Sequence, residues 1–288
     1  MKDRLSGTPY DDAFRTMLQD CSHLIIPVVN EVFGEHYSGD ETVTLSSNEY
    51  YLNDETGRLK LVTDSSFIIS ASPTIRYHFE CQSGLDSWMI VRMLEYDTAI
   101  ARADWEFGNY KLKLRAPRSA VLMLRAGTET KDELEIAVQV EDVEVTHSIK
   151  IIRIHDYPLE KLLEKKLYFL LPFINFTQEK NFALYNEDEE ARFHFIEEQR
   201  RLIATVRHLR AVGELTELDE QTILKLISFV TQALTIKYPN LQEVIPEMYG
   251  EPFETEYMAM RKKALAEGRA EGRETGRAEE RERIIKAL

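Results

Sequence analysis

Basic residues are scarce in this 288-residue chain: 36 lysines and arginines stand against 50 acids, a formal net charge of -14. That balance repels nucleic acid at long range unless the cations gather on one surface. Cysteine is nearly missing. Cys21 and Cys81 lie far apart with no metal-ligand spacing around either, which excludes a disulfide framework and fits a reducing compartment. Long apolar runs are missing as well: the longest, Leu167 to Phe176, is half a membrane span, and Met1 to Phe14 holds no apolar stretch of signal-peptide length. The expectation is a cytoplasmic protein with no membrane partner. A glycine-rich phosphate loop is absent before the tail, which counts against hydrolysis of a small phosphate-containing substrate.

What is present suffices for a core, since 43% of residues are hydrophobic and 10% aromatic. From Asp11 onward Phe14, Met17, Leu18, Cys21, Leu24 and Ile25 recur at helical spacing, with Asp11 or Asp12 as N-cap and Pro27 as a kink or break. Between Thr42 and Ser83 short runs rich in Val, Ile, Thr, Tyr and Phe are separated by residues 53–57 and 70–73, which predicts three consecutive strands. A helix follows from Asp86 to Ala103, with Ile90, Met93, Leu94 and Ile100 on one face and Arg92, Glu95 and Tyr96 on another. Strands are then expected over Tyr110 to Leu114, Ala120 to Leu124, Leu134 to Val140 and Val143 to Ile154. The order predicts an α+β or mixed α/β domain over residues 1–157, a helical region over 158–250 with amphipathic stretches at Glu187 to Val212 and Leu218 to Ile236, and a charged tail over 251–288.

The tail repeats every four residues. A helix there would stack Arg269, Arg273, Arg277 and Arg281 in one stripe and Gly268, Gly272 and Gly276 in another. Like charges at that spacing repel, and each glycine costs about 1 kcal/mol relative to alanine, so such a helix needs an acidic partner helix or a nucleic-acid backbone. The alternative is a solvated tail.

The segment Arg76-Tyr77-His78-Phe79-Glu80-Cys81-Gln82 carries the most chemistry. Strand alternation puts Tyr77, Phe79 and Cys81 on an apolar face and Arg76, His78, Glu80 and Gln82 on a polar one. The first face belongs to a core; the second belongs to a site or to solvent. The preceding run, Leu59 to Ile69, has one acid, and a hairpin centred on Ser72 places that acid, Asp64, directly opposite Glu80. Carboxylates facing each other at about 5 Å repel unless a cation lies between them. Mg²⁺ accepts one or two carboxylates in this way, and the chemistry that follows is phosphodiester hydrolysis with Gln82 aimed at the attacking water. Two exposed acids on a solvated sheet face are the alternative.

Four segments in this order, Asp11-Asp12-Ala13-Phe14-Arg15, Thr63-Asp64, Phe79-Glu80-Cys81-Gln82-Ser83 and Arg92-Met93-Leu94-Glu95-Tyr96, resemble the PD-(D/E)XK nuclease superfamily. The likeness is closer to its Rpn branch of recombination-promoting, transposase-like nucleases (YhgA-like), of which the Glu-Gly-Arg tail is also typical. The resemblance implies an α-β-β-β-α-β, restriction-endonuclease-like core: a central mixed sheet flanked by helices. It also implies that Asp64, Glu80 and the backbone carbonyl of Cys81 hold Mg²⁺, with Mn²⁺ or another divalent cation as substitutes, and that DNA is the substrate of an endonuclease linked to recombination. Lysine is commonest in the superfamily where this chain has Gln82, whereas glutamine is usual in the Rpn branch. The general base is left between a second metal-bound water and His78.

Around this site Arg92 and Tyr96, at i and i+4, face a substrate phosphate, brace the acids, or pair with Glu95. Asp11 is an N-cap worth about 1 kcal/mol or a residue approaching the site. His78 is otherwise a partly buried histidine satisfied by a backbone group, and Cys81 a core thiol. Lys111, Lys113 and Arg115, with Arg118 beside them, are candidate phosphate contacts. Trp88, Trp105 and the pair Tyr50-Tyr51 read as packing residues. A second function class stays open: a catalytically silent nuclease-fold protein that binds DNA or assembles, as a homo-oligomer, through its C-terminal helices.

Overall fold

The computed structural model describes residues 8–46, 49–54, 57–62, 65–84, 88–102, 105–127 and 130–249, with only the backbone described for 49–54 and 57–62. Asp64 and the tail repeat therefore lie outside the described residues. Helix α1, Pro9–Asp20, starts at Thr8, whose hydroxyl caps the Asp11 N–H while the Asp11 carboxylate accepts from the Thr8 N–H. The cap is thus Thr8, and Asp11 is its reciprocal partner in the first turn. Buried Tyr10, Ala13, Phe14, Met17 and Leu18 form one stripe at helical spacing. The chain breaks at Cys21 and a short 3-10 turn, Ser22–Leu24, and not at Pro27. Pro27 lies in the first turn of α2, Ile25–Phe33, where its missing N–H has no intrahelical acceptor to lose. Helix α2 ends at Gly34, whose φ of 66° is left-handed, the conformation a helix C-cap uses.

Among the described residues of 43–82 there are five strands and not three. They are β1 (Val43–Leu45), β2 (Glu49–Asp54), β3 (Gly57–Val62), β4 (Ser65–Ile69) and β5 (Ile75–Gln82). The run read as one strand from Leu59 divides because β2 and β3 pair with each other in a separate two-stranded sheet, while β4 pairs with β1 and β5. Register between β4 and β5 runs from Ser65 opposite Phe79 to Ile69 opposite Ile75, as a hairpin centred on Ser72 requires.

After α3, Met89–Ala101, a small hairpin of β6 (Glu106–Gly108) and β7 (Lys111–Lys113) precedes β8 (Arg118–Met123), and β9 (Glu133–Val140) folds back onto β10 (Val143–Arg153). The main sheet has the order β1-β4-β5-β8-β10-β9. Strands β5, β8 and β10 are mutually parallel, and the flanking pairs are antiparallel. It is a central mixed sheet flanked by helices.

Its two faces differ. On one, Phe67, Tyr77 and Phe79 meet Phe14 of α1 and Phe33 of α2, with Phe14 and Phe79 stacked at 6.3 Å. On the other, Met89 and Met93 of α3 pack with Val121, Met123, Ile136 and Ile149. Ile90 and Leu94, expected inside, are exposed, because the buried stripe of α3 runs through Met89, Met93, Asp97, Ile100 and Ala101. The β9–β10 arm outgrows this cover: Val138, Val140, Val143 and Val145 are exposed, and β9 is the last strand of the sheet.

The helical region comprises α4 (Leu159–Glu164), a 3-10 stretch (Tyr168–Asn181), α5 (Phe182–Glu187), α6 (Glu189–Ala211), α7 (Glu217–Leu234) and α8 (Pro239–Tyr249). Phe169 and Phe173 carry it onto Phe14. Among the described residues no helix is long and apolar enough to cross a membrane.

Helix α7 also meets the end of α1. Asp219 completes a capping box with Thr216 and, only 1% exposed, lies 3.3 Å from His23 and bonds the Cys21 thiol. Burial opposes its charge, but the bonds from His23, Thr216 and Cys21 outweigh that and hold its carboxyl well below the usual range. Stability from Asp219 is therefore complete above the ordinary carboxyl value of 3.8 and is lost as pH falls beneath it. Asp219→Ala should cost about 1–3 kcal/mol, the cap plus its buried partners, or roughly 3–10 °C in melting temperature. Thermal melts at pH 7 and pH 3 check this; the difference between variant and parent should shrink at pH 3.

Candidate active site

Strand β5 projects His78, Glu80 and Gln82 on one side, and α3 lies over that side. The polar face is therefore a buried one: His78 has no exposure and Glu80 only 4%. This corrects both the solvated-sheet alternative for Glu80 and the reading of His78 as a histidine satisfied by backbone. His78 Nδ1 is 2.7 Å from Asp97 Oδ1 on α3, and its Nε2 is 3.0 Å from Glu80 Oε1. Only a doubly protonated imidazole donates to both carboxylates. Burial disfavours that charge, yet the bonds and charges of Asp97 and Glu80 prevail and push His78 up to about 9. With both ring nitrogens occupied inside the core, His78 is not placed to act as a general base.

Asp97 is the centre of this cluster. Its Oδ1 also accepts from Ser119 Oγ of β8 at 2.8 Å, and its Oδ2 lies 2.8 Å from His147 Nε2 of β10. Although burial raises its pKa, the contacts with His147, His78 and Ser119 lower it further, so Asp97 stays ionised below the usual carboxylate range. A string of side chains thus runs from partly exposed His147 through Asp97 and His78 to Glu80.

Two other residues of α3 reach the same face. Arg92 donates to Gln82 Oε1 at 3.3 Å, and the Tyr96 ring meets His78 edge-on with centroids 5.9 Å apart. Arg92 and Tyr96 are thus set against β5 residues. Ser66, opposite His78 in the β4–β5 register, is 1% exposed, and its hydroxyl has no hydrogen-bond partner among the described residues. Asp64 precedes β4 in sequence and lies outside the described residues. The Cys81 side chain is fully buried, a core thiol.

Other candidates are elsewhere. Asp11 is occupied in the α1 capping box. Lys111, Lys113 and Arg115 are exposed on the β6–β7 hairpin and its flank, with Lys113 and Arg115 both directed at Glu106, at 3.8 and 2.9 Å. Arg118 pairs with Glu35. Trp88 and Trp105, read as packing residues, are 69% and 53% exposed. Tyr50 and Tyr51 have no described side chain.

Sequence reading missed Asp97, Ser119, His147 and Ser66. The signal for Asp97 was an acid in helical register with Met89 and Met93, eight and four residues ahead of it. Among the described residues no group of three or more His, Cys, Asp or Glu is arranged to hold a metal. Oxygen donors nevertheless share this face: the Glu80 carboxylate, the Gln82 amide and the orphaned Ser66 hydroxyl. Compared with family models, curated proteins and solved structures, the chain matches none of them.

Proposed function

We propose that this chain is a Mg²⁺-dependent endonuclease that hydrolyses phosphodiester bonds in DNA, with Glu80 and Asp64 as acidic ligands, and that it belongs to the Rpn branch of the PD-(D/E)XK nucleases. The observation that carries the reading is the meeting of Glu80, Gln82, Arg92 and Tyr96 at one place, since these residues come from two of the four sequence segments that suggested it. Element order supports it too. With α2 and the two small hairpins β2–β3 and β6–β7 set aside as insertions, a first helix, the antiparallel set β1, β4 and β5, the crossover helix α3 and the parallel strand β8 come in the order of the α-β-β-β-α-β pattern.

Hard oxygen donors of the kind present around Glu80 suit Mg²⁺. Glu80, Asp64 and the Cys81 carbonyl would hold the ion, with Mn²⁺ as a substitute. When bound, it acidifies a water and offsets charge on the scissile phosphate. Gln82, held by Arg92, orients the attacking water, and the Arg92 guanidinium adds positive charge beside the phosphate. Tyr96 braces His78, and Lys111, Lys113 and Arg115 meet the DNA backbone at a distance from the chemistry.

Nicking of supercoiled plasmid tests the reading. Cleavage should need Mg²⁺, stop with EDTA, and fall about 10²–10³-fold in Glu80→Ala, several kcal/mol of barrier. Cleavage that survives this substitution would sink the assignment. One observation favours a second reading, the catalytically silent DNA-binding or assembly protein: Glu80 is 4% exposed and already bonded to His78. Absence of cleavage across several DNA forms and metals would leave that reading in place.

A further inference from the structure

Asp97 has no part in the hydrolysis as derived above, yet side chains from three strands converge on it: His78 of β5, Ser119 of β8 and His147 of β10. We propose that Asp97 is a positioning residue for the Glu80 carboxylate, acting through His78. It holds the imidazole in the one orientation that aims Nε2–H at Glu80 Oε1.

The geometry has three parts. An imidazole ring turns about a soft torsion, and a hydrogen bond at Nδ1 removes that freedom. The Asp97 carboxylate is itself immobilised, with Ser119 and His78 on Oδ1 and His147 on Oδ2. The donor reaching Glu80 is therefore fixed by three strands and a helix, and it selects one orientation of the Glu80 carboxyl group. A carboxylate held in one orientation is what a ligand to a hard cation has to be.

The catalytic consequence rests on the nuclease reading, whereas the orienting of Glu80 does not. A cluster that merely fastened α3 to the sheet would show a different response: loss of stability with no change at Glu80. The test uses the full chain and Asp97→Asn, which keeps the shape and an acceptor oxygen while removing the charge. The first readout is the side-chain carboxyl ¹³C resonance of Glu80, identified by its disappearance in Glu80→Gln and recorded without metal. The second is affinity for Mn²⁺ alone, by calorimetry. The third is plasmid cleavage resolved into kcat and KM.

The Glu80 resonance should move in Asp97→Asn, while Mn²⁺ affinity and kcat fall about 10–100-fold and KM for DNA holds, the usual size of an effect exerted through a ligand's neighbour. His147→Ala, at the partly exposed end of the string, should change the same quantities in the same direction by less, and it stands in if Asp97→Asn does not fold. An unmoved Glu80 resonance in a folded variant overturns the positioning role. If the parent chain neither binds Mn²⁺ nor cleaves DNA, the nuclease reading fails, and the resonance alone decides whether Asp97 positions Glu80.

Discussion

Asp97→Ala is expected to lower the free energy of unfolding by about 3–5 kcal/mol, the cost of removing one partner from a buried charged pair. The residue is 3% exposed, and its loss leaves His78, which has no exposure, with Glu80 as its remaining carboxylate and Ser119 without its acceptor. Urea denaturation would show the change as a lower midpoint at constant slope. By contrast, Thr98→Ala at an exposed position of the same helix should lie within about 0.5 kcal/mol, as substitutions away from buried features do. A loss below about 1 kcal/mol for Asp97→Ala would mean that the cluster is not formed in solution.

Phe14→Ala should be of similar size, about 3–5 kcal/mol, through a different mechanism. Phe14 is 1% exposed, and its ring meets Phe169 edge-on at 5.2 Å, Phe79 at 6.3 Å and Phe173 at 6.3 Å. It thus joins α1, the sheet and the 3-10 stretch at one point, and truncation removes transfer energy while leaving a cavity between elements that cannot easily close. Aromatic contacts of this geometry add about 0.5–1.5 kcal/mol beyond area. Phe193→Ala supplies the comparison: that ring is 55% exposed, and its loss should fall near zero. A melting-temperature drop of roughly 6–20 °C for Phe14→Ala is the expected reading; no drop would deny that this ring is a shared contact.

The register of β4 on β5 was legible because the residues around Ser72 make a turn and the flanking runs alternate, so one centre fixes every pair. The apolar side of β5 was legible for the same reason. Its polar side was left between a site and solvent, since alternation says which residues share a face but not what covers it. Here α3 covers it, and three partners of Asp97 lie 19, 22 and 50 residues away in the chain, beyond any local pattern. The apolar character of Ile90 and Leu94 added two exposed residues to the face read for α3, of which Met93 and Ile100 are buried; the buried stripe accepts an acid because His78, Ser119 and His147 supply its bonds. Strand count failed where a continuous β-forming run, Leu59 to Ile69, divides between two sheets.

The uncovered valines of the β9–β10 arm give the acidic composition a meaning beyond its effect on nucleic acid. A terminal strand with an apolar row beside it is where copies of a chain add to one another and precipitate. Along that arm, however, run Glu135, Glu141, Asp142 and Glu144, all exposed, within a molecule of net charge -14. Colloidal repulsion between copies acts across a Debye length of about 8–10 Å at ordinary salt, so the surplus of acid works as dispersant for an edge that no further strand covers among the described residues.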